Sequence, residues 1–260
     1  MPQDLSPTEK HALLFIGALI FIGLLLPHIA QPEDYHRFAD HREWLDIPHA
    51  ADVLSNIIFV AAGMLGLLRM RSPHAASITR KVTIPLGVFF SGLILTGVGS
   101  AYYHWSPNSH TILFDRLPMV IAFAGIIGAF LSQRISIRIG MVGMAVGLLA
   151  GVAGLALSIV NGSLALYLVL QFGGLVGLVV GLLLTHDADD PFPWWGLVNW
   201  YVLAKFFEIG DYFFWDMTQH LVSGHTLKHL AAGMAGMVLL NALRTRVRRR
   251  RGPAPLLIAD

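Results

Sequence analysis

The sequence predicts an all-α protein that crosses a membrane many times, and three observations carry that prediction. Charged residues make up 13% of the 260-residue chain, about half the share found in a soluble domain. Apolar runs of roughly 17 to 23 residues recur along it, each long enough to cross a bilayer core of about 30 Å as a helix. No long polar insert separates them, so the chain reads as one polytopic transmembrane helical bundle with eight spans.

The spans fall at 11–27, 52–70, 83–103, 112–131, 137–159, 163–185, 194–214 and 225–243. The first, behind Lys10, has the leucine-rich centre of a signal peptide. The exit His28-Ile29-Ala30 lacks the small residue expected two positions before a cut, so a retained anchor is expected. The third and fourth spans are joined by a short turn containing Pro107 and Asn108. Along the fifth, Gly140, Gly143, Gly147, Gly151 and Gly154 predict close helix packing. Aromatic residues from Trp194 to Trp215 crowd the two ends of the seventh, as an interfacial belt or the lining of an acyl-chain site does. The units are then an N-terminal helix (1–27), an exterior acidic loop (28–51), a seven-helix membrane domain (52–243) and a basic tail (244–260).

Basic residues set the orientation. Arg69, Arg71, Arg80, Lys81, Arg134, Arg138 and the tail arginines Arg244 to Arg251 all fall on one side of an eight-span chain, which is therefore cytoplasmic. Both termini lie there. The loops 28–51, 104–111 and 215–224 face the exterior, and the short loops and arginine tail suggest a bacterial inner membrane with a periplasmic outer face. Because the basic residues gather in a tail and not over a domain face, they read as a flank beside anionic lipid, with no nucleic-acid partner. There is no cysteine, so a transition-metal site has only His, Asp, Glu or water to use.

Ionisable groups inside spans are costly and are candidates for function. Ser100 and His104 lie four residues apart at the outer end of the third span and share a helix face. Asp115 lies just inside the fourth, and His225 and His229, again four apart, open the last. The span assignment puts all five at one depth. Taken singly, interfacial histidines cap helices and bond lipid headgroups. Together, two imidazoles on one helix and a third from another can hold zinc with a position left for water, which the metal acidifies toward a pKa of about 7. Asp115 can then accept a proton, and Ser100 can donate to the water or to a developing oxyanion.

A second polar group, Lys205, Glu208 and Asp211, is spaced to meet on one face of the seventh span. It reads either as support for the site and the substrate headgroup or as a self-neutralising ion-pair network. Asp52 and Asn56, one turn apart on the second span, can join either arrangement.

Gly99-Ser100-Ala101-Tyr102-Tyr103-His104, then Phe114-Asp115, then Ser223-Gly224-His225-Thr226-Leu227-Lys228-His229 resemble the alkaline ceramidases, of the CREST superfamily of membrane hydrolases. Trp44-Leu45-Asp46-Ile47-Pro48 and Asp52-Val53-Leu54-Ser55-Asn56 resemble the entry to that family's first helix. The likeness covers about 40–245, which makes seven family helices plus one extra N-terminal helix. It implies zinc on His104, His225 and His229, an acid/base role for Asp115 and stabilisation of the tetrahedral intermediate by Ser100. The implied reaction is hydrolysis of the amide of ceramide or a related N-acyl membrane lipid, a linear amide, to an amine such as a sphingoid base and a fatty acid. Calcium held by the N-terminal acidic loop, through Asp40, Glu43 and Asp46, is a further implication. The alternative is a zinc-containing lipid receptor of the same superfamily that does not hydrolyse. Transport is disfavoured, because a pathway would spread polar residues through the full depth of the membrane.

Overall fold

The computed structural model describes residues 4–185, 187 and 189–243. The expected basic tail 244–260 lies outside the described residues. Eleven helical segments follow one another there: α1 (Pro7–Leu25), α2 (Ala50–Ser55), α3 (Ile57–Met70), α4 (Pro73–Ile78), α5 (Thr83–Trp105), α6 (Ile112–Arg134), α7 (Ile137–Val160), α8 (Ala165–Leu184), α9 (Trp194–Ile209), α10 (Asp211–Met217) and α11 (Gly224–Leu239). Among the described residues the only β-type pairing is one isolated bridge, Trp44 to Ile47. The protein is an all-helical membrane bundle. Among the described residues six helices are long and apolar enough to cross a bilayer, with Ala50–Met70 counted as one.

Breaks in two of the expected spans have local causes. In a continuous helix the Asn56 N–H would bond the Asp52 carbonyl. That carbonyl instead accepts from the Ser55 hydroxyl (3.0 Å) and the Asn56 side-chain amide (2.8 Å), and the Asn56 N–H turns to Val53 at 3.4 Å. Side-chain competition for one carbonyl is an ordinary cause of a helix kink. The seventh expected span divides at Gly210 into α9 and α10. These two helices and α11 are shorter than the other spans, and their sequence carries Lys205, Glu208, Asp211, His225, Lys228 and His229.

α5 and α6 pack along most of their length, α7 continues the layer, and α11 packs on α9 and α3. The main core runs between them through Phe90, Leu86, Phe130, Trp194 and Leu239. The glycines of α7 do what their spacing predicts: a Cβ at Gly140 would strike Ser132 and Gly128, and one at Gly151 would strike Val120. Gly147 is the exception, facing an apolar cleft between α1, α6, α7 and α8. α1 lies on α8 and α7 and exposes Leu14, Phe21, Leu24 and Leu25. Hydrocarbon accepts such side chains without cost, so exposure of this kind suits a lipid-facing helix.

Two close approaches shape the end of the bundle that carries the polar residues. A Cβ on Gly99 would run into the Phe114 carbonyl, so α5 and α6 touch backbone to backbone beside Ser100 and Asp115. A Cβ on Gly224 would meet the Phe207 carbonyl and the Asp211 backbone, so α11 starts tight against the α9–α10 junction.

Candidate metal centre

Three imidazoles converge at this end. α5 delivers His104 in its last turn, and α11 delivers His225 and His229 from its first two turns. All three are buried, and one nitrogen from each lies within 4.8 Å of the others. His104 Nε2 and His225 Nε2 are 3.1 Å apart, close to the ~3.3 Å edge of a tetrahedron with metal–nitrogen bonds of about 2.0–2.1 Å. Among the described residues this is the one such group of His, Cys, Asp or Glu.

The hydrogen bonds also fix which nitrogen of His229 is free. The Ser55 hydroxyl donates its single hydrogen to the Asp52 carbonyl, so at 2.8 Å its lone pair accepts from His229 Nδ1–H. The proton is thereby placed on Nδ1 and the lone pair on Nε2, an atom that is buried with no partner. An orphaned buried nitrogen facing two other imidazoles fits a metal, which would satisfy it. The donor set, three neutral nitrogens without thiolate, fits an open zinc site.

Asp115, in the first turn of α6, interacts with the Ser100 hydroxyl on α5. Ser100 lies one turn before His104 on α5, and Asp115 follows Phe114, whose carbonyl touches Gly99. The Ceramidase family model matches residues 47–246. The chain belongs to that family. A search of curated proteins finds no match.

The ceramidase-family site rests on more residues than the spacing revealed. Thr226 donates to Asp52 at 2.6 Å and Ser223 donates to it at 3.3 Å, which ties the first turn of α11 to α2. Asp211 accepts from the His225 N–H (2.7 Å) and the Ala39 N–H (2.9 Å). It does not join Lys205 and Glu208, because the Gly210 break turns it toward α11. Lys205 and Glu208 do pair, at 2.6 Å. Lys228, which the sequence reading passed over, stands 3.7 Å from Glu208 and 2.7 Å from His225 Nε2. Its position between the two histidines of α11 was the available signal. Ser55 had none beyond its place beside Asn56.

The N-terminal loop, expected as an exterior acidic segment, forms the roof of the site. Phe38 is buried with its ring 4.6 Å from that of His104 and 4.5 Å from that of His225. His36 Nδ1 bonds the Tyr103 hydroxyl at 2.8 Å. Asp40 is buried and holds Arg42 through both carboxylate oxygens, at 2.9 and 2.6 Å. Glu43 and Asp46 are exposed. The three expected calcium ligands are therefore not gathered around a point. Carboxylates that look free in the sequence are in part committed to guanidinium and backbone donors.

Proposed function

We propose that this chain is a zinc-dependent amidase acting within the membrane on ceramide or a related N-acyl lipid. His104, His225 and His229 would hold the ion, Asp115 would move the proton and Ser100 would donate to the oxyanion. The observation that carries this reading is the convergence of three imidazoles, with Asp115 and Ser100 on the adjoining helix turns: a structural ion needs ligands alone, whereas hydrolysis also needs a proton carrier and an oxyanion donor. When bound, zinc supplies Lewis acidity, polarising the amide carbonyl and lowering the pKa of water. The chain's own part is to hold the imidazoles in the required tautomer, through Ser55 at His229. Asp115 accepts a proton and returns it to the leaving amine. Phe38 closes the site from the loop side and keeps bulk water out. Lys228 donates to His225 Nε2 and also stands near Glu208, which would remain as its acceptor if a bound metal drew on that imidazole.

The site is read as facing the periplasm of a bacterial inner membrane, with both termini in the cytoplasm. Support comes from the loops with Arg69, Arg71, Lys81, Arg134 and Arg138, which join helices at the end opposite the histidines.

The test is to incubate purified protein with a panel of ceramides and other N-acyl lipids, with and without a chelator, and to measure released fatty acid. Release that stops with chelator, and falls about 10²- to 10⁴-fold in Asp115→Asn, is expected. Bound zinc with no release from any N-acyl lipid would sink the reading.

A further inference from the structure

One residue beside the site has a guanidinium fork that no hydrogen-bond acceptor meets among the described residues. Arg116 follows Asp115 on the first turn of α6 and is 6% exposed. Among the described residues no carboxylate oxygen lies within 4.0 Å of it, and no acceptor hydrogen-bonds its guanidinium. The group is held by its faces: its central carbon lies 5.2 Å from the ring centre of Tyr35 in the roof loop and 5.5 Å from that of Tyr167 on α8. Aromatic faces stabilise a cation but leave the in-plane N–H fork unused. A buried, charged, unpaired fork is expensive in a membrane protein and persists where a partner arrives from outside. Asp115 acts on Arg116 through space but makes neither a hydrogen bond nor an ion pair with it.

The chemistry of a free guanidinium edge selects oxyanions with two coplanar or tetrahedral oxygens. We propose that Arg116 docks an anionic group of the lipid substrate, a carboxylate, phosphate or sulfonate carried near the amide. This rests on the amidase reading above. The source of the anion follows from position. Arg116 sits against Tyr35 of the roof loop and follows Asp115 on α6, so an anion that reaches it lies within one helical turn of the proposed proton carrier. An ordinary bilayer headgroup would bind at the rim. Ceramide itself is uncharged and would leave Arg116 unanswered, so the preferred substrate is an N-acyl lipid with an acidic head.

The test compares N-palmitoylglycine with N-palmitoylethanolamine, which share the acyl chain and amide and differ in carboxylate against hydroxymethyl. Dissociation constants are read on the zinc-loaded full chain in neutral detergent by native mass spectrometry, with palmitate release followed in the same samples. The wild-type protein should bind the glycine conjugate about tenfold or more tightly than the ethanolamine one. Arg116→Gln should bring that ratio to about one with zinc content unchanged, and Arg116→Lys, which keeps the charge and bulk, should retain part of it. Equal affinities in the wild type, or a ratio that survives Arg116→Gln, overturns the proposal. So does Arg116-dependent binding of dioleoylphosphatidylglycerol with no difference between the two amides, which would assign the guanidinium to bilayer lipid. An Arg116-dependent preference without palmitate release keeps the docking role and removes the amidase reading. Release from both conjugates without preference does the reverse.

Discussion

The histidines of this protein sit in two kinds of surroundings. In the outer loops each described bond is made to an ordinary polar group. His28 meets the Asn161 carbonyl at 2.9 Å, His49 meets the Asp40 carbonyl at 3.0 Å, and His36 meets Tyr103, Gln31 and Ser109. In the bundle His104, His225 and His229 face one another instead, and two of their nitrogens, His104 Nδ1 and His229 Nε2, are buried without partners. The first kind uses imidazole as a hydrogen-bonding strut. The second leaves the His229 Nε2 lone pair unspent in a low-dielectric place, which a fold tolerates where something else will use it. Convergence with unmet capacity, and not the presence of histidine, separates a candidate site from a structural contact.

The largest effect that could break this contrast is loss of the metal. His229→Ala should abolish stoichiometric zinc in purified protein measured by elemental analysis, while His28→Ala should leave it intact. Equal loss in both would erase the distinction. Next comes the partner that sets the tautomer. Ser55→Ala should weaken zinc binding about 10- to 100-fold in a chelator competition, as removal of outer partners of metal ligands does; an unchanged affinity would mean that His229 orients itself. Lys228→Met removes a donor that occupies the His225 lone pair, so zinc should bind about tenfold more tightly, the scale of a charged hydrogen bond. Weaker binding would instead place Lys228 among the supports of the metal.

The smallest effect belongs to the outer cluster. Burial, with the charge of Arg116 adding to it, lowers the pKa of His36 below its ordinary value. A histidine lowered in the folded state contributes stability that is complete above about pH 6.5 and is lost as pH falls through the folded value. The midpoint of thermal unfolding should therefore drop on acidification below about pH 6.5, and His36→Ala should flatten that part of the profile. A profile unaltered by the substitution would show that the His36 contacts do not hold the roof.

Much of the site was legible because helix geometry is regular. The spacing of Ser100 with His104, and of His225 with His229, places each pair on a face, and span counting brings both faces and Asp115 to one end of the bundle. Glycine spacing on α7 likewise predicted its close packing. Ser55, Lys228, Phe38 and Arg116 escaped because their roles depend on what lies opposite. A serine in a kink, a lysine between two histidines and an arginine after an aspartate carry no periodic signal. The acidic loop is a similar case, since only the fold shows Asp40 paired with Arg42.

By itself the sequence determined the class of solvent this protein lives in, the order of its apolar helices, and the residues able to ligate a metal. Those follow from transfer energies and a fixed rise per residue, which are local quantities. Only the tertiary structure decided the rest. It showed that the seventh span divides at Gly210, that Asp211 ties the roof loop to α11, which lone pair of His229 is free, and that the Arg116 fork meets no anion. Each of these is a matter of which hydrogen-bond partners remain once backbones have closed to contact, and that depends on residues far apart in the chain.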